Sequence, residues 1–189
     1  MMERWFILAE IVLPAFAAGL LVLATHVPMG REVLRRGIVF LDLAIAQIAA
    51  LGIVAAGALG LEEQLEHASY LQTTIAVVAA LIGALGLYQL RHAAVRVQEA
   101  VIGTLFVLAA TGVLLLLATD PHGGERLGEI LSGQILWMQP KDLIPLAVAT
   151  VLILLVWRFC AQSDRVFYAM FAVAVTLSTQ VVGVYLVFS

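Results

Sequence analysis

Long apolar stretches dominate the chain, and short polar segments separate them. A helix that crosses a bilayer needs about 20 mostly apolar residues. Six stretches meet or approach this length, the fifth being the shortest: 5–27, 37–60, 69–90, 100–119, 143–159 and 166–188. None of them alternates apolar with polar residues, as the strands of a membrane β-barrel do. The pattern therefore predicts an all-α, polytopic membrane protein with about six transmembrane helices in a single domain over residues 1–189.

The charges of the predicted connections alternate in sign along the chain. Seven of the ten basic residues lie in or beside the connections 28–36, 91–99 and 160–165, whereas the connections 61–68 and 120–142 are acidic. An excess of lysine and arginine marks the cytoplasmic side of a membrane protein. We therefore expect a multi-pass membrane protein with both termini on the outer side.

Composition excludes several classes of protein. Hydrophobic residues make up 63% of the chain and charged residues 12%, with a mean hydropathy of +1.06, which neither a soluble globule nor a disordered chain shows. A net charge of -3 gives no nucleic-acid footprint. The single cysteine, Cys160, excludes an internal disulfide framework. No nucleophile–base pair, phosphate loop or zinc-protease motif is present, so we expect no enzyme, no catalytic residue and no covalently bound cofactor.

Side chains that can bind metals cluster in the long connection 120–142. Asp120, His122 and Glu125 follow one another in a glycine-rich turn, and imidazole with carboxylates suits zinc, iron or manganese. A turn-forming aspartate and a helix-capping glutamate explain most of the same pattern without a metal. Residues 125–138 are predicted to form a short amphipathic helix after this turn.

Two polar residues in the second predicted span are candidates for an ion path. Asp42 lies about one and a half turns into the span and Gln47 five residues deeper. Polar side chains within a membrane are costly, so each one is a functional candidate. Five residues rotate a helix by about 140°, so the two do not share a face. The alternatives are an ion pair of Asp42 with Arg35 or Arg36, and an interhelical hydrogen bond of Gln47.

The sixth predicted span carries one polar face. Thr176, Thr179, Gln180 and Gly183 recur at the spacing of one helix face. We expect this face to pack inward, against protein or a wet path, with Gln180 as its most polar member. His26 lies at the end of a predicted span and is expected at the membrane interface.

Four segments of the chain form a recognisable series, in order over most of residues 15–189. They are GREVLRRGIVFLDLAIAQIAALG, QEAVIGTLFVLAATGVLLLLA, HGGERLGEILSGQILW and TQVVGVYLVFS. Together they resemble the permeases of zinc-, manganese- and iron-type ABC transporters, and the resemblance implies a permease-like bundle of helices. In the first segment, as in the family, a basic pair precedes a polar stretch that enters the membrane and ends at a glycine. The last segment has the Val-Val-Gly sequence of a late span in the family.

The resemblance implies a set of partners and a cargo. The chain would sit among membrane lipid, pair with a second permease copy, and work with a cytoplasmic ATPase and an external metal-binding protein. The cargo would be a divalent ion of zinc, manganese or iron, moved by alternating access. The best-known members carry an aspartate and a histidine four residues apart in the second span. Alignment on Gly52 places Leu43 and Gln47 there, with Asp42 offset by one residue.

Two other interpretations stay open. A non-transporting membrane scaffold or assembly subunit is one, because the connection CAQSDR between the last two spans is too short for an ATPase-docking helix of a few turns. A secondary carrier driven by an ion gradient, without any ATPase, is the other.

Overall fold

The fold is known from a computed structural model, which describes residues 2–61, 69–133, 135, 140–160 and 163–183. Every long element in these residues is a helix, which confirms the predicted all-α class. The helices are α1 (Met2–Arg36), α2 (Leu41–Ala56), α3 (Ser69–Gln89), α4 (Val95–Leu117), α5 (Gly123–Ser132), α6 (Pro140–Cys160) and α7 (Asp164–Val182). A π-helical turn, Gly57–Leu61, continues α2.

Five helical segments among the described residues are long and apolar enough to cross a membrane. They are Val12–Arg36, Leu41–Leu61, Tyr70–Gln89, Val95–Leu117 and Asp164–Val182. The remaining predicted span, 143–159, falls in α6, whose apolar part is the shorter segment Leu143–Phe159. The protein is therefore a multi-pass membrane protein, and the count of six spans stays a prediction.

The first two basic connections are more helical than predicted. Helix α1 continues through 28–36 because Met29 and Val33 pack into the core, so burial favours the helix beyond the apolar stretch. It ends in a Schellman motif, in which Gly37 has φ +71° and the N–H of Ile38 donates to the carbonyl of Val33 at 3.3 Å. Of the connection 91–99, the second half already belongs to α4.

Helix α2 lies at the centre of the bundle, packed against α3, α4 and α7. Small residues set the close distance between α2 and α3. A Cβ on Gly52 would lie 2.4 Å from the Cβ of Ala79, and one on Gly83 would lie 2.7 Å from Ile48. Small residues at this spacing let helices approach closely, so small-residue packing brings α2 and α3 together within the chain.

The basic segments meet at one end of the bundle, here called the basic end. Arg36 at the end of α1 donates to Asp164 at the start of α7, with 2.7 Å between Nη1 and Oδ1. Arg165 on α7 donates through Nε to the hydroxyl of Tyr88 at the end of α3, at 2.9 Å. The opposite end, here called the α5 end, holds the last turns of α2, α4 and α7 together with α5. The helices thus place the basic segments on one side, as their charges predict.

Candidate functional site

The polar face of α7 packs inward, as predicted. Thr176 and Thr179 are buried, and Gln180 contacts α3. The hydroxyl of Thr73 on α3 donates to Oε1 of Gln180 at 2.9 Å. This hydrogen bond joins two helices within the apolar part of the bundle, near the α5 end.

Two polar atoms on this face have no hydrogen-bond partner among the described residues: Oγ1 of Thr176 and Nε2 of Gln180. Both atoms are buried, and their residues are four apart, so they lie on the same side of α7. A buried polar group without a partner costs about 1–3 kcal/mol. Bound water or a passing ligand would therefore gain more at these two atoms than at the apolar surface around them.

Asp42 lies in the first turn of α2, at the basic end. Its Oδ1 accepts a hydrogen bond from the backbone N–H of Leu43 at 2.8 Å. The proposed ion pair with Arg35 or Arg36 is not formed, because both arginines bind Glu32 and Arg36 also binds Asp164. The carboxylate instead sits at a helix N-terminus, where the helix dipole stabilises negative charge.

Gln47 does not bridge Asp42 and Gln180. It is half-buried on α2, about 7 Å deeper along the helix axis than Asp42. Helices α2 and α7 both start at the basic end, and Gln180 lies about 24 Å along α7 from Asp164. The structure thus distributes the three predicted path residues along the bundle and does not bring them into one site.

The predicted metal cluster of the 120–142 connection is arranged as a turn. The carboxylate of Asp120 accepts from the backbone N–H of His122 at 2.8 Å and pairs with Arg126 at 3.1 Å. The side chains of His122 and Glu125 are exposed. The parts of the chain that the structure describes contain no group of three His, Cys, Asp or Glu residues that could hold a metal ion.

Helix α5 closes against the bundle just beyond Gln180. It begins at Gly123, two residues earlier than predicted, and ends at Ser132, six residues earlier than predicted. Residues 136–138 of the predicted helix lie outside the described residues. A Cβ on Gly133 would lie 2.2 Å from the backbone nitrogen of Gly183. Leu127 and Ile130 on the same helix pack against an apolar cluster of α2 and α4. The amphipathic helix therefore covers the end of α7 that carries the unpaired amide.

The comparison with protein families decides the class of this chain. The ABC 3 transport family matches residues 8–163. The chain belongs to this family. It is therefore the membrane-spanning permease subunit of an ABC-type transporter and is not itself the ATPase. No curated protein and no solved structure matches it.

The match leaves α7 outside its bounds. This permease nevertheless buries α7 more completely than its other long apolar helices, with Phe167, Ala172 and Val175 fully enclosed. The resemblance drawn from the segment TQVVGVYLVFS lies beyond the matched residues. The polar face of α7 must therefore be judged on its own geometry.

Sequence reasoning missed a polar contact between α1 and α7. His26 was expected at the interface, but α1 continues for ten residues beyond it, which places it within the bundle. Its Nε2 lies 3.1 Å from the hydroxyl of Ser178 on α7, and its Nδ1 lies 3.0 Å from the carbonyl of Val22. No local pattern could reveal a partner that is 152 residues away.

A small cavity lies beside this contact, between α1, α6 and α7. Thr25, Thr150 and Ser178 supply its polar side chains, among apolar neighbours. Its volume of about 10 Å³ corresponds to about one water molecule. It is too small for a hydrated metal ion, so the His26 contact joins helices and does not form a cargo site.

Proposed function

We propose that this permease subunit moves a divalent metal ion, zinc, manganese or iron, across the bacterial inner membrane by alternating access. A cytoplasmic ATPase would drive it, and an external metal-binding protein would deliver the ion at the α5 end. Family membership and the resemblance to metal-type permeases support this cargo. The observation that carries the proposal is the pair of unpaired buried polar atoms on Thr176 and Gln180.

The positions of the polar residues fit a path with two halves. Gln180 and Thr176 would serve the half near the α5 end, while Asp42 and Gln47 would serve the half near the basic end. Alternating access opens the two halves in turn around a fixed site, so the ion would pass one pair of residues in each half. Exposed His122 and Glu125 would meet the ion before it enters, beside α5.

One copy of the chain offers too few ligands for a divalent ion. Transition metals take at least four ligands in most sites, and the described residues do not converge on such a set. A second copy related by a two-fold axis would present the same residues again. We therefore propose a dimer of permease subunits, in which both copies contribute Asp42 and Gln47 to the path.

Metal uptake into proteoliposomes that contain the permease with its ATPase tests this function. We expect ATP-dependent uptake of zinc, manganese or iron, and about a tenfold lower rate for Gln180→Leu, since about 1.4 kcal/mol corresponds to a factor of ten. Thr104→Val is the matched control, because the Thr104 hydroxyl is exposed and already donates to the carbonyl of Ala100. Absence of ATP-dependent metal flux would refute the proposal, and equal flux in both variants would remove Gln180 from the path.

The connection between α6 and α7 favours two alternatives in which a member of this family no longer couples to an ATPase: a membrane scaffold and an ATPase-independent carrier. Helix α6 ends at Cys160 and α7 begins at Asp164, so no docking helix fits between them. Capture of an ATPase in mild detergent supports the transporter, whereas capture of membrane proteins alone supports the scaffold. Metal flux that persists without ATP and collapses with the proton gradient identifies the carrier.

A further inference from the structure

Two guanidinium groups converge on one tyrosine at the basic end. The ring of Tyr88, at the end of α3, is buried. The guanidinium carbon of Arg91 lies 4.1 Å above the ring centroid, and Nη1 of Arg91 donates to the carbonyl of Tyr88 at 3.3 Å. Arg165 approaches from α7, with its guanidinium carbon 5.7 Å from the centroid and its Nε bonded to the hydroxyl. Two elements that are distant in sequence thus place their cations around a single neutral ring.

The neighbouring arginine at this end is neutralised, and these two are not. Arg36 binds the carboxylates of Glu32 and Asp164 at 2.7 Å each. Among the described residues, Arg91 and Arg165 form no ion pair with a carboxylate. Each guanidinium carries five N–H donors, most of which stay available. Two like charges on one phenol repel each other, so an anion bound to both would stabilise the arrangement.

The anion that fits best is a phosphate. Guanidinium groups match the oxygens of phosphate through parallel, charge-assisted hydrogen bonds. Basic pockets at the cytoplasmic ends of transmembrane helices bind the headgroups of anionic lipids. The basic end carries seven arginines, and an excess of arginine marks the cytoplasmic side of a membrane protein. The phosphate would therefore belong to the cytoplasmic side.

The surface of α3 next to the site suits an acyl chain. Leu85, Ile82 and Val78 are exposed and recur at helical spacing, starting one turn from Tyr88 and leading towards the apolar middle of the bundle. A phospholipid with its phosphate at the arginines could lay a chain along this row. Free phosphate would gain nothing from the row, so the surface favours a lipid over a soluble anion.

We propose that Arg91 and Arg165, held around Tyr88, bind the phosphate of an anionic phospholipid from the cytoplasmic leaflet. The bound lipid would join the α3–α4 connection to the start of α7. The Thr73–Gln180 hydrogen bond joins the same two helices at the α5 end, so the lipid would fix the other end of that helix pair. This lipid binding does not depend on which cargo the permease carries.

Lipid binding to the full chain in an uncharged detergent tests the proposal. Native mass spectrometry with phosphatidylglycerol and with phosphatidylcholine measures the preference for the anionic headgroup. We expect wild type to bind phosphatidylglycerol about tenfold more tightly, and the double variant Arg91→Gln/Arg165→Gln to lose about tenfold in that affinity. The matched control Arg31→Gln/Arg158→Gln removes two exposed charges from the same end and should change the affinity less than about threefold.

Each other outcome overturns the proposal. Equal loss in the two double variants would show diffuse attraction to charge and no site. Equal binding of the two lipids would exclude headgroup recognition. If inorganic phosphate displaced phosphatidylglycerol and bound with the same affinity as the lipid, the site would be one for free phosphate.

A subtler variant tests the role of the ring. Tyr88→Phe keeps the ring under Arg91 but removes the hydroxyl that positions Arg165. We expect part of the preference for phosphatidylglycerol to be lost with circular dichroism unchanged. Full retention of the preference would contradict the part of the proposal in which the Tyr88 hydroxyl positions Arg165.

Discussion

The two ends of the bundle are held together by different chemistry. At the basic end, long side chains span the helices, as in the Arg36–Asp164 ion pair and the Arg165–Tyr88 hydrogen bond. At the α5 end, backbone meets backbone, and Gly133 and Gly183 leave no room for a side chain on either residue. Flexible side chains can keep a bond while helices tilt, whereas two apposed backbones are either in contact or apart. The contacts at the basic end can therefore persist during small movements of the helices. The backbone contact at the α5 end is either made or broken.

The largest effect should come from a side chain at the glycine contact. Gly133→Ala forces a left-handed residue, φ +65°, and drives its Cβ to within 2.2 Å of the Gly183 nitrogen. The backbone strain costs about 1–3 kcal/mol, and the overlap with Gly183 adds a similar amount. Thermal unfolding in detergent should show a markedly lower Tm, and hydrogen exchange should rise in α5.

The control for this variant lies within α5, five residues before Gly133. Gly128→Ala places a Cβ where no atom lies within 4 Å and removes a helical glycine, so it should stabilise by up to about 1 kcal/mol. Similar melting temperatures for Gly133→Ala and Gly128→Ala would show that the backbone contact does not hold α5 in place.

A smaller effect is expected from breaking the basic end. Arg36→Met removes the partner of Asp164 and the cation 4.2 Å above the Phe167 ring. Charge-assisted hydrogen bonds contribute about 1.5–3 kcal/mol, so denaturant unfolding should show a loss near the lower value. Arg35→Met is the control, because this side chain is 73% exposed and exposed ion pairs contribute little. Equal losses would mean that the end is held by overall charge and not by this contact.

The smallest effect should appear between the two ends, where α1 meets α7. Ser178→Ala removes the partner of His26 Nε2. Hydrogen bonds between membrane helices contribute about 0.6 kcal/mol on average, and a double-mutant cycle with His26→Leu should measure a coupling of this order. Ser132→Ala, whose hydroxyl is exposed and bonded within α5, serves as the control for loss of a hydroxyl. A coupling of zero would assign the His26 contact to packing alone.

Most of the helical framework could be predicted because each apolar stretch is a local signal. Helix ends were harder to predict, since they depend on distant partners. The end of α1 lies at Arg36, and not near Val27, because Met29 and Val33 meet a core assembled from several helices. The grouping of the basic segments at one end could be predicted, because the charge of each connection follows directly from its own residues.

The candidate site was less predictable for the same reason. The inward face of α7 could be predicted from the spacing of Thr176 and Gln180 along one helix. The hydrogen bond to Thr73 could not, because the partner is 107 residues away. An ion pair of Asp42 with Arg35 or Arg36 was one alternative, but Arg36 binds Asp164, which lies 128 residues away.

The apposed glycines have a consequence for how such a contact can be detected. Any replacement at Gly133 or Gly183 meets the partner's main chain, so neither position can be rescued by a compensating change at the other. In relatives that keep this junction, both columns of an alignment would stay fixed and would share no correlated variation. Methods that infer proximity from paired substitutions would overlook the close contact between Gly133 and Gly183.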